Sequence, residues 1–164
     1  MSGMASIFGA ALILVASLLF GRGFVAYVKR RAEDYRAVTD FLALMRSEIA
    51  ERLATPAELA VRAEGGVLAE IGFLDRVAAG ASLGDAFREC SSGLSLSTAD
   101  TELLQSYFDG FGVGSVECEL GRLDTALSEL SASERAVREE TPSRIKLALT
   151  LSVLFALGTV ILLL

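Results

Sequence analysis

Histidine and tryptophan are absent from this 164-residue chain, proline and cysteine occur only twice each, and aromatic residues make up 7%. The absence of histidine removes the commonest metal ligand and the commonest general base together. Cys90 falls on the apolar face of its segment and reads as a small buried hydrophobe. Cys118 stands between Glu117 and Glu119, where a thiolate is disfavoured. Serines are numerous, but no base is placed to activate one. The carboxylate pairs Glu33-Asp34, Glu117 with Glu119, and Glu139-Glu140 are one or two residues apart, and such neighbours on a helix point in different directions. Gly112-Val113-Gly114 is followed by no lysine and matches neither phosphate-binding fingerprint, so it reads as an interhelical turn. These absences exclude an enzyme, a bound metal and a cofactor from the expected reading.

Charge is also missing, but only from the two ends. Met1 to Gly21 and Leu147 to Leu164 carry no Asp, Glu, Lys or Arg, while 52% of the whole chain is apolar. Eighteen helical residues extend about 27 Å, just short of a bilayer core. Each run therefore predicts a spanning helix that recruits neighbours such as Phe24 to Val28, with Arg22 reaching back to the headgroups. Arg22, Lys29, Arg30 and Arg31 follow the first run, and Arg144 and Lys146 precede the second. All six lie on the inner side of both runs, which predicts a cytoplasmic middle and outward-facing termini. The positive charge follows the first run instead of preceding it, so a retained anchor is expected, not a cleaved signal. The expected division is 1–28 as the first span with its juxtamembrane segment, 29–143 as a cytoplasmic helical bundle, and 144–164 as the second span.

The chain carries −6 overall, with 15 Lys and Arg against 21 Asp and Glu; setting aside the six flanking cations leaves nine against 21, or −12, for the middle. Nucleic acid is excluded as a partner for such a domain. The acidity suits either a basic protein partner or solubility beside anionic lipid, and the flanking cations suit membrane headgroups.

Periodicity in the middle is helical throughout and no useful strand alternation occurs, so the fold class is all-α. Val38, Phe41, Leu42, Met45, Ile49 and Leu53 form the apolar face of a long helix that stops at Thr55-Pro56-Ala57-Glu58, a capping box with proline at the first helical position. A short helix ends at Gly65-Gly66. A further helix is expected to carry Val67, Leu68, Ile71, Leu74, Val77 and Ala78 before Gly80. Ser82 caps a helix with Leu83, Ala86, Phe87 and Cys90 inward; Ser97, with Asp100 three residues on, caps one with Leu103, Leu104, Tyr107, Phe108 and Phe111. Val116, Leu120, Leu123, Leu127 and Leu130 form a seam for packing on the first long helix. Thr141-Pro142 is expected to permit a break before the second span.

The N-terminal span followed by basic residues, the Ser47-Glu48-Ile49 then Thr55-Pro56 passage, the Phe111-Gly112-x-Gly114 turn before an acidic helix, and the closing apolar run together resemble the stage III sporulation protein AB family over essentially the full chain. That family is similar to the helical cytoplasmic domains of type II secretion and type IV pilus platform proteins. The resemblance implies a membrane-anchored scaffold in the channel complex between mother cell and forespore, coupling a secretion-type ATPase to membrane subunits and catalysing nothing itself. The alternative is a minimal secretion or pilus platform adaptor. The family's Asp-rich, Gln-containing stretch after the glycine turn is replaced by Ser115-Val116-Glu117-Cys118-Glu119, which keeps only the acidity. Gly112, Gly114, Glu117 and Glu119 are the candidate partner-binding residues, as an exposed acidic helix start beside a mobile turn; capping and solubilising that helix is the other role open to them. Homo-oligomers are open to spans of this kind, through small residues such as Ala5, Gly9 and Gly158.

Overall fold

A computed structural model describes the backbone over residues 2–52, 55–63 and 65–163, and the side chains of 15–16, 19, 21–51, 55–63, 65–155 and 157–158. The order is α1 (Ser2–Arg52), α2 (Pro56–Arg62), α3 (Gly66–Glu70), α4 (Phe73–Ala78), α5 (Leu83–Cys90), a 3₁₀ turn (Ser91–Gly93), α6 (Thr98–Asp109) and α7 (Val116–Leu163), with no strand among the described residues. The fold is all-α. Two units divide it: residues 31–137, and residues 1–30 with 138–164. Both draw on α1 and α7.

Residues 31–137 form a helical bundle around Phe73. Its ring meets Phe41 and Phe87 edge-on at centroid distances of 5.5 and 6.3 Å, and Phe108 lies 6.0 Å away, so α1, α4, α5 and α6 converge on one aromatic cluster. Val38, Leu42 and Met45 of α1 and Leu123, Ala126 and Leu130 of α7 close the core. Arg46 of α1 pairs with Asp124 of α7 at the surface of the same unit.

The caps follow the sequence. Thr55 N donates to Glu58 Oε2 at 2.9 Å while Glu58 N donates to Thr55 Oγ1, completing the capping box. Ser82 and Ser97 accept from the backbone N–H groups of Asp85 and Asp100, both at 3.1 Å. Behind Ser97 sits a buried polar network that ties the loop before α6 to α1. Asp34, fully buried, accepts from Ser95 N at 2.8 Å, and the Asp100 carboxylate accepts from Tyr35 Oη, Ser97 Oγ and Ser133 Oγ. Burial works against the Asp100 carboxylate, but those three hydrogen bonds and the Arg31 charge outweigh it and hold its pKa below the usual value.

Three sequence expectations are corrected. The helix expected from Val67 to Ala78 is broken into α3 and α4, because Gly72 adopts a left-handed conformation (φ +77°) that needs no Cβ. Pro142 breaks nothing; it lies inside α7, where its missing N–H costs one ladder bond while the helix runs on. Val116, expected in the apolar seam, is 40% exposed at the first turn of α7, and Ala126 joins the buried face instead.

Residues 31–137 hold nine arginines and nineteen Asp and Glu, net −10; set against the chain's −6, this leaves +4 for the other unit. In that second unit α1 and α7 approach closely at Gly21, where an added Cβ would lie 2.9 Å from Ser152 Oγ. Leu147, Leu149, Leu151, Val153, Leu154, Phe155 and Leu157 of α7 are all at least half exposed. The two terminal spans expected from sequence fall in large part on residues whose side chains lie outside the described set; among the described residues no helix is long and apolar enough to cross a membrane. Leu53 and the packing of Ala5 and Gly9 likewise lie outside it, and Gly158 has no described atom within 4 Å of an added Cβ.

Candidate functional site

The turn between α6 and α7 is built on one arginine. The last carbonyls of α6 lack intrahelical partners, and Arg122, one turn and a half into α7, reaches back to supply donors: Nη1 to the Gly110 carbonyl at 2.7 Å, with Nη2 at 3.4 and 3.5 Å from the Ser106 and Tyr107 carbonyls. Its guanidinium also covers the Tyr107 ring at 5.7 Å. Gly110 leaves room for this approach: a Cβ there would stand 2.4 Å from Arg122 Nη2, so the guanidinium would have to shift.

Glu119 balances that cation from below. Its Oε1 lies 3.5 Å from Arg122 Nη1, and the side chain is only 7% exposed. Glu119 Oε2 and the Tyr107 hydroxyl are both buried without a hydrogen-bond partner among the described residues. Desolvation, followed by the charge of Glu119, raises the Tyr107 pKa well above its ordinary value and keeps the phenol neutral.

Above this base the chain turns outward. Gly112 adopts φ +84° with nothing within 4 Å of an added Cβ, so its glycine answers a backbone demand. Val113 is 83% exposed, the largest value for a bulky apolar side chain among the described residues of this unit, and Val116 stands three residues on. Gly114, Glu117 and Cys118 are exposed, and Ser115 Oγ accepts from Cys118 N at 3.3 Å to start α7. Of the four candidate residues, Gly112, Gly114 and Glu117 share the exposed turn. Glu119 does not: it faces the core as the counter-charge of Arg122, so the exposed acidic start of α7 rests on Glu117 alone. Its i, i+2 relation to Glu117 sends it to the opposite side of the helix. Gly110 is legible in the sequence as the end of α6, which the structure places at Asp109 with Gly110 as the cap, whereas Arg122 is not. The three-residue spacing of Glu119 and Arg122 was the signal available.

Among the described residues no group of His, Cys, Asp or Glu could hold a metal ion. What the arrangement presents is a small exposed tip, apolar at Val113 and acidic at Glu117, on a base clamped by Arg122. The model of the stage III sporulation protein AB family matches residues 6–164, and the chain belongs to that family. No curated protein and no solved structure matches it. Membership places the chain at stage III of sporulation.

Proposed function

We propose that the chain is a membrane-anchored scaffold of the sporulation channel complex between mother cell and forespore, and that it couples a cytoplasmic secretion-type ATPase to membrane subunits without catalysing a reaction itself. The observation that carries this reading is the turn at 112–117: an exposed apolar and acidic tip held on a clamped base, in a unit of net −10. A basic partner surface is attracted by that field and oriented by it. The scaffold role extends what family membership implies.

Anchoring by both ends is part of the proposal. The outward Leu, Val and Phe side chains of α7 from Leu147 on suit lipid, not water. Thr150 and Ser152, the polar side chains described in that stretch, donate to the Lys146 and Ala148 carbonyls at 2.9 and 2.8 Å, which satisfies their hydroxyls within the helix as a hydrocarbon environment demands. The cations that flank both apolar runs keep residues 31–137 in the cytoplasm of the mother cell and the termini outside.

The test is affinity purification of the tagged full-length protein from gently solubilised membranes at the stage of sporulation concerned, beside a Glu117→Lys variant. Recovery of a secretion-type ATPase with channel subunits, diminished in the variant, is the expected outcome. Recovery of pilus or secretion components, or of no partner, would contradict it.

A further inference from the structure

The unit formed by residues 1–30 and 138–164 contains a groove of about 1080 Å³ between its two helices. Phe24, Leu147, Leu151 and Phe155 line it, together with Gly21 and Ala148. The volume lies just above the range of roughly 300–1,000 Å³ typical of small-molecule sites, and apart from Ser152 the lining is aliphatic and aromatic with one charged residue, Arg144.

Arg144 decides what the groove takes. Glu140 accepts from Nε at 2.8 Å and lies 2.7 Å from Nη2, both through its Oε2, so a single carboxylate oxygen engages two of the guanidinium nitrogens. Nη1 meets no acceptor among the described residues. The side chain is 53% exposed. This unit carries +4 while the bundle carries −10, so an anion is drawn to this part of the chain and repelled by the other. A ligand that fills the groove must therefore join long apolar chains to an anionic head.

We propose that this groove is a binding site for an anionic phospholipid, with its acyl chains along Leu147, Leu151 and Phe155 and its phosphate on Arg144. Basic pockets between membrane helices on the cytoplasmic side take anionic head groups in this way. The proposal rests on the anchored reading above and adds a specific site to it. Arg144 then serves as a point of selectivity in addition to marking orientation.

The experiment uses the full-length protein in mild detergent, with native mass spectrometry of lipid retained from equimolar phosphatidylglycerol and phosphatidylcholine. Phosphatidylglycerol is expected to be retained about fivefold in preference, the weight of one cation near an anionic surface. Arg144→Gln abolishes the preference, Glu140→Gln increases it, and inorganic phosphate at millimolar concentration does not displace the lipid. Equal retention of the two lipids, a preference unchanged in Arg144→Gln, or displacement by phosphate overturns the site. Carbonate extraction of the same protein from membranes separates the two readings. A protein that resists extraction yet shows no preference loses only the site, and one that is released loses the anchor and the site together.

Discussion

Removing the cation beneath the α6–α7 turn has a calculable cost. In Arg122→Met the aliphatic stem is largely kept, so the loss is electrostatic and hydrogen-bonding. The Gly110 carbonyl loses its 2.7 Å donor, and Glu119, with a side chain 7% exposed, loses the cation beside it. Breaking a buried pair by deleting one partner costs about 3–5 kcal/mol. Arg122 is 37% exposed, so solvent screening lowers the figure, and about 2–3 kcal/mol is expected. At about 4 °C per kcal/mol for a unit of this size, the melting temperature falls by about 8–12 °C. Thermal unfolding of the full-length protein in detergent, followed by circular dichroism, measures it. The double variant Arg122→Met with Glu119→Leu removes the stranded charge as well and recovers at least half of the loss. A single variant within about 0.5 kcal/mol of the parent, or a double variant no more stable than the single one, would refute the reasoning.

Other consequences are equally direct. Gly110→Ala forces Arg122 out of place and destabilises the protein, whereas Gly121→Ala, in α7 with nothing within 4 Å of the added Cβ, is neutral or stabilising by up to about 1 kcal/mol; melting temperatures of the two variants check this. Cys118 is exposed and Cys90 buried, so a membrane-impermeant maleimide labels one thiol per folded chain, and under the proposed topology it does so only after the mother-cell membrane is permeabilised. Asp100 has a folded-state pKa held below its ordinary 3.8, so its contribution is present above that value and is lost as pH falls through the folded pKa; acid titration of Asp100→Asn should show a shallower loss of stability below about pH 4 than the parent.

The sequence carried local signals well and the turn's base poorly. Thr55, Ser82 and Ser97 could be read as caps because each signal lies within four consecutive residues. The inward positions of α5 and α6 were likewise legible, since Leu83, Ala86, Phe87, Leu104 and Phe108 obey one helical period. The break at Gly72 was not, because Val67 to Ala78 keeps its apolar spacing across the break and a glycine within a helical pattern does not announce a left-handed φ. The sequence points Glu119 to solvent for a related reason. Its charge argues for solvent, and only the approach of Arg122 to the end of α6 makes a buried position tolerable. Gly84 belongs with these: a Cβ there would meet Asp109 across the contact of α5 with α6, a constraint set by two helices at once.

The most direct test of the scaffold account places a photo-crosslinking amino acid at Val113 in the full-length protein and irradiates cells at stage III of sporulation. The account predicts a covalent adduct with a secretion-type ATPase or a channel subunit, weakened by Glu117→Lys and absent when the crosslinker stands at buried Leu104. Adducts with lipid, with random proteins, or equally strong from Leu104 would contradict it.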